Sequence, residues 1–300
     1  MTPATDTAIA IAIVGPGAIG TTVAAALHQA GRTPLLCGRT PRDRLSLLDG
    51  DRRVDVPGPV LTDPDQAGRK MDLVFLAVKA TQTEAASGWL AALCRPDTVV
   101  CVLQNGVEQL EAVATHAPPA RIIPAVVWFP AQAQADGSVR LRGDARLSLP
   151  DLPAAHVVAE ALQGTQCVVD ITEDFQSVAW RKLLQNAVAG LMALTHRRAG
   201  MFARPDIAEL ALAYLQECLS VARAEGAKLG DEVPQGILAR FQAASPDLST
   251  SILTDREAGR PLEWDIRNGV ISRRARAHGI FTPISDIIVP LLAAASDGPG

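Results

Sequence analysis

Hydrophobic and polar positions follow two different rhythms along this chain. Up to about residue 172, short and nearly unbroken apolar runs stand between amphipathic stretches: "AIAIAIV" (8–14), "PLLC" (34–37), "MDLVFLAV" (71–78), "TVVCVL" (98–103) and "RIIPAVVWF" (121–129). Unbroken runs of that length predict strands covered on both faces, as in a parallel sheet. Helical patterns over Thr21–Gln29 and Thr83–Leu93 fall between them, the order of β-α-β units. "SVRLRGDARLSL" (138–149) alternates around Gly143 and Asp144 and predicts an antiparallel hairpin closing the sheet. A last short strand, "QCVVDI" (166–171), follows.

Beyond it the helical period takes over, with helices predicted over 174–195, 206–228, 234–244 and 262–278, the last stopped by Gly279 with Pro283 beyond. The expected architecture is a doubly wound α/β domain over 1–172, then an all-helical domain over 173–300. A cleft between two such domains is where small-molecule sites usually lie. The tail "SDGPG" is expected to fray.

Composition removes several classes of function. The chain has 300 residues, 48% hydrophobic and 20% charged, enough for a sizeable core and against disorder. Its net charge of −4 comes from 28 basic and 32 acidic residues that are well mixed, so neither nucleic acid nor an anionic membrane is an expected partner. The start, "MTPATDT", has no basic n-region, and the apolar run after it is far shorter than the roughly 20 residues that cross a bilayer, so a cytoplasmic location is expected. Five cysteines, Cys37, Cys94, Cys101, Cys167 and Cys218, form no C-x-x-C pair and read as reduced core thiols. The histidines form no metal-binding pattern.

"IAIVGPGAIGTTVAAAL" sets Gly15, Gly17 and Gly20 as G-x-G-x-x-G between a strand and a helix, with Ala18 and Ile19 in the turn. The first glycine makes the turn, the second lets backbone N–H groups approach a pyrophosphate, and the third packs helix on strand, which points to a Rossmann-type dinucleotide site. A P-loop would need Lys-Ser/Thr next, and Thr21-Thr22 stands there. Where NAD-binding folds place a carboxylate for the ribose, this chain ends its second strand "LLCGRTPRDR". Arg39, with Arg42 and Arg44 nearby, favours NADPH, since a guanidinium can grip a 2′-phosphate. The plain alternative is a solvated loop, the better reading of Arg44.

Within "AWRKLLQNAVAGLMAL" (179–194), Lys182, Asn186 and Gly190 lie one above another on a helix that is otherwise apolar. Such a stripe is expected to face something polar.

Together with the glycine loop, "FLAVKATQT" around Lys79, "LQNGVEQ" around Asn105, "AWRKLLQN" and "STSILTDREAGRPLEWDIRNGVISRRARAHGI" (249–280) resemble the ketopantoate reductase family over nearly the whole chain. That family has a Rossmann domain and a helical domain. The resemblance implies hydride transfer from NADPH to the ketone of a 2-oxo acid, most directly 2-dehydropantoate to (R)-pantoate, with Lys182 as general acid. It also implies that Asn186 and Ser251 hydrogen-bond the substrate and that Glu263 orients the lysine and contacts the bound ligand. Lys79 and Gln82 match cofactor contacts, and Asn105 a residue near nicotinamide and substrate. The implied partner is a small 2-oxo acid, with a homodimer as the candidate assembly.

Two departures bear on the substrate. Gly190 stands where the family commonly has a second asparagine, which removes one contact and is expected to enlarge the pocket. "AVVWFPAQ" (125–132) is bulkier than the family's usual run. Read singly, each site residue has a plain structural role: Lys182 snorkelling to solvent, Asn186 a satisfied buried amide, Glu263 a helix N-terminal carboxylate. A reductase of another 2-oxo or hydroxy acid, and a non-catalytic NADP(H) sensor, are the alternative functions.

Overall fold

The computed structural model describes residues 9–298. "MTPATDT", Ala8 of the first apolar run and the last two residues of the tail lie outside the described residues. The chain divides into two units. The first runs to Gln104 and from Glu108 to Phe175; the second is Asn105–Val107 with the chain from Gln176 onward.

In the first unit the order is β1 (Ile11–Val14), α1 (Ala18–Gln29), β2 (Leu35–Cys37), β3 (Arg44–Asp49), β4 (Arg52–Pro57), β5 (Val60–Leu61) and β6 (Leu73–Leu76). Then come α2 (Ser87–Leu93), β7 (Val99–Val102), α3 (Gln109–Ala114), β8 (Arg121–Pro124), β9 (Val126–Val127), β10 (Ala131–Ala133), β11 (Val139–Leu141), β12 (Ala145–Pro150), α4 (Pro153–Leu162) and β13 (Cys167–Thr172). Six strands form a parallel sheet in the order β5-β2-β1-β6-β7-β8. Its strands read as solid apolar runs because both faces are covered. Ile13, Leu36, Phe75 and Cys101 enter one core with α1 and α4, while Val14, Cys37, Leu76 and Val102 enter another with α2.

The alternating stretch 138–149 is not a hairpin. β11 pairs with β10 and with β3, in a four-stranded sheet ordered β10-β11-β3-β4. β12 crosses to a three-stranded sheet, antiparallel to β9 and parallel to β13. Alternation reports that one face is buried; it does not name the partner, and Gly143, at φ +80°, turns the chain from one sheet to the next. The run 121–129 likewise splits into β8 and β9, which belong to different sheets. The helix expected from Thr83 starts only at Ser87, behind 3₁₀ turns at Ala80–Gln82 and Glu84–Ala86. There the Thr83 hydroxyl donates to the Ala80 carbonyl, a local bond that competes with a regular helix.

The second unit is helical: α5 (Phe175–Thr195, from its second residue), α6 (Pro205–Ala224), α7 (Glu232–Ala243), α8 (Ser251–Glu257), α9 (Val270–His278) and α10 (Pro283–Asp297). They enclose one core that includes Trp180, Phe202 and Tyr214. The helix expected over 262–278 is a π turn at Asp265–Gly269 leading into α9, capped by Gly279 at φ +65°. Residues 267–272 are all buried, so no amphipathic period survives there. Ser296 and Asp297 of the supposed frayed tail are the last turn of α10, and the Ser296 hydroxyl accepts from the Leu262 N–H at 2.9 Å.

The five cysteines are buried and unpaired, and burial pushes the Cys37 thiol up to about 12. No helix among the described residues is long and apolar enough to cross a membrane.

Candidate active site

In the first unit the glycine loop is built as its spacing requires. Gly15, at φ +89°, lies so close to β6's exit that a Cβ would be 2.6 Å from Val78 Cγ1 and 2.7 Å from the Val78 nitrogen. Its N–H donates to the Cys37 carbonyl at 2.8 Å, tying the loop to the end of β2. Gly20 packs α1 on the sheet, where a Cβ would meet the Gly15 oxygen at 2.5 Å and Ile13 Cγ2 at 3.0 Å. Gly17 is the opposite case. It precedes the first residue of α1 with no side-chain cap, and a Cβ there would meet nothing within 4 Å.

A helix start leaves its first N–H groups, here those of Ala18, Ile19 and Gly20, without carbonyl partners from the helix itself, and the open space at Gly17 gives an anion access to them. These residues fit a pyrophosphate. Gly38 rests against the loop, with Pro16 Cδ 2.9 Å from where its Cβ would be, so Arg39, exposed, leaves β2 beside the loop. Arg42 donates to the Gly137 carbonyl at 3.4 Å, and Arg44 opens β3 on the surface. Lys79 and Gln82, both half-buried, bracket the 3₁₀ turn after β6, and the Gln82 N–H donates to the Lys79 carbonyl at 2.8 Å. Gln104, which sequence reasoning missed, is buried and donates to the Thr83 hydroxyl at 2.9 Å.

The second unit brings together the other candidates. Lys182 and Asn186 are half-buried on α5. Burial lowers the Lys182 ammonium to about 8, and the positive charges of Arg267 and Arg240 act in the same direction. Asn186 Nδ2 donates to Asn105 Oδ1 at 3.2 Å, and Asn105 Nδ2 makes a long bond, 3.5 Å, to Glu263 Oε2. Glu263 sits just before the π turn, 7% exposed. Arg267 donates through one nitrogen to Glu263 Oε2 at 3.3 Å and to Ser251 Oγ, at the first residue of α8, at 2.9 Å. Arg267 was not foreseen, although its spacing of four from Glu263 was a readable signal.

Gly190 does not open a pocket. It is buried, and a Cβ there would be 3.0 Å from both Asn268 Nδ2 and Leu292 Cδ1. The space is taken by Asn268, whose amide donates to the Ala187 carbonyl and the Tyr214 hydroxyl, each at 2.9 Å. A second asparagine on this stripe would collide with one already placed by the π turn. The bulky 125–132 run is likewise spent on its own unit: Phe129 is in the core, and the Trp128 indole donates to Ser148 Oγ at 2.9 Å.

A parallel sheet with a glycine-loop helix, followed by a helical unit holding a lysine, two asparagines and a buried carboxylate, defines a Rossmann-type dinucleotide fold with a helical C-terminal half. Residues 11–154 match the family described as ketopantoate reductase PanE/ApbA, and residues 174–296 its C-terminal region. A 2-dehydropantoate 2-reductase of Mycobacterium tuberculosis H37Rv is 56% identical over 98% of this chain and 100% of its own length. That of Caulobacter vibrioides is 37% identical, covering 95% and 99%. The structure of a dimeric ketopantoate reductase from Staphylococcus aureus superposes with a TM-score of 0.89 at 28% identity, covering 97% of this chain and all of that one. The chain belongs to the ketopantoate reductase family, a family of oxidoreductases.

Proposed function

We propose that the chain reduces 2-dehydropantoate to (R)-pantoate, a step of pantothenate biosynthesis, with NADPH. The observation that carries this reading is the cluster in the second unit: a lysine lowered to about 8 on the same helix as an asparagine bonded through Asn105 to a buried carboxylate. NADPH, when bound, supplies the hydride that the carbonyl carbon accepts. The Lys182 ammonium donates a proton to the carbonyl oxygen as that carbon takes the electron pair, so no free alkoxide has to form. Asn105, Asn186 and Ser251 hold the acid by hydrogen bonds, and Glu263 orients the donors around it. Gly15, Gly17, Ala18, Ile19 and Gly20 take the pyrophosphate, Lys79 and Gln82 further cofactor contacts, and Arg39 the 2′-phosphate. The 1–172 stretch is thus the NADP-binding part and 173–300 the substrate part, with Asn105 contributed to the latter from within the first.

The similarity to the Mycobacterium tuberculosis and Caulobacter vibrioides reductases supports the choice of acid. So does the filled space at Gly190, which removes the reason to expect a larger substrate. Steady-state oxidation of NADPH against a panel of 2-oxo acids tests the reading: 2-dehydropantoate should have the highest kcat/KM. Another acid preferred, or none reduced, would contradict it.

Cofactor choice has its own test. Arg39→Ala should weaken NADPH binding by about 1.5–3 kcal/mol, the range for a hydrogen bond to a charged group, and leave NADH binding as it was. Equal loss of both, measured by fluorescence titration, would remove Arg39 from the 2′-phosphate.

A further inference from the structure

Arg267 is the buried charge for which the family resemblance gave no role. It is 2% exposed and lies in the π turn, an element that recurs at functional sites. Its Nη2 reaches Ser251 Oγ and Glu263 Oε2 together, at 2.9 and 3.3 Å, while its Nε is buried without a hydrogen-bond partner. Through Glu263 the bonds run on to Asn105 and Asn186. An Arg–Glu pair taken out of water loses hydration that its attraction only partly returns, and apolar residues of similar volume would serve the core as well or better. Packing alone therefore gives no reason for the pair. Its geometry does, because one planar guanidinium sets the hydroxyl at the start of α8 and the carboxylate before the π turn in a single arrangement.

We propose that Arg267 is a positioning residue for the reaction assigned above: by gripping Ser251 and Glu263 at once, it fixes where the 2-oxo acid sits relative to Lys182. The inference rests on that functional reading. The Arg267 charge also adds to burial in making a second cation at Lys182 costly; Arg240 of α7 acts in the same sense, and Glu263, bonded to Arg267, carries the opposite sign.

The experiment uses the full chain and two variants, Arg267→Met and Arg267→Lys. It reads KM for 2-dehydropantoate at saturating NADPH, and the ionisation of Lys182 by ¹³C NMR of labelled lysine in the protein alone. Arg267→Met should raise the substrate KM about tenfold or more, with KM for NADPH unchanged, and move the Lys182 titration upward, because a positive neighbour has gone and Glu263 is left without it. Arg267→Lys keeps the charge and so the titration, but its shorter side chain cannot carry an ammonium to the point where Nη2 meets both acceptors, so its substrate KM should also rise. A folded Arg267→Met with the parent's KM, or with a raised KM and an unmoved Lys182 titration, would overturn the proposal. If Arg267→Met does not fold, a parental KM in Arg267→Lys overturns it. Failure of the parent to reduce any 2-oxo acid would sink the functional reading instead, and the NMR titration would still decide whether Arg267 acts on Lys182.

Discussion

Lys182→Ala should turn over at least about 10²-fold more slowly than the parent, the lower end of what a positioned general acid contributes, with NADPH affinity changed less than about twofold. The reason lies in where the lysine is. A half-buried ammonium lowered to about 8 gives up its proton far more readily than a surface lysine at 10.5, yet is still mostly charged at neutral pH. Removing it leaves the developing alkoxide to water, while the glycine loop, Arg39, Lys79 and Gln82, proposed to hold the pyrophosphate and 2′-phosphate ends of the cofactor, lie in the other unit and are untouched. Because the interaction is made in the transition state, kcat should fall rather than substrate KM rise. Unchanged turnover would reduce Lys182 to a packing residue.

The second large effect separates the roles of two glycines. Gly17→Val should weaken NADPH binding about 10²-fold, since a branched side chain fills the open space through which the backbone N–H groups of α1 are approached. The cost to the apo-protein should be small, at most about 4 °C in Tm, because nothing lies within 4 Å of the added Cβ, φ is −77°, and valine is merely a poorer helix cap than glycine. Gly20→Val should do the reverse to the fold, as its Cβ would stand 2.5 Å from the Gly15 oxygen, a backbone atom that cannot step aside. Thermal melts with and without NADPH read both. A Gly17→Val protein that binds NADPH like the parent would take the pyrophosphate away from this loop.

What the sequence makes legible follows from how local each signal is. The parallel sheet was legible because strands covered on both faces write themselves as unbroken apolar runs, and the glycine loop because each of its glycines answers a separate steric demand. The β3–β4 hairpin carried a two-residue Gly50-Asp51 turn between β-rich segments and went unread. Asp136-Gly137, in the short loop between β10 and β11, carried a hairpin signal as well, whereas β3, the other partner of β11, and β9 and β13, the partners of β12, lie further along the chain and leave no local mark.

The site divides the same way. Lys182 and Asn186 stood out as polar residues on an apolar helix. That Asn268 fills the space beside Gly190 could not be foreseen, because the π turn shifts the helical register from which such contacts are counted. Arg267 was within reach of charge spacing, yet its second partner, Ser251, is sixteen residues away and joins it only through the fold.

The claim on which the chemistry rests is that Lys182 is the proton donor, and the pH dependence of kcat/KM for 2-dehydropantoate tests it most directly, because it reports the donor before the acid binds. With the ammonium lowered to about 8, kcat/KM at saturating NADPH should be flat on the acid side, then fall about tenfold per pH unit once the pH passes about 8, as the charged form is lost. A kcat/KM that stays level to about two units beyond that point would contradict the account.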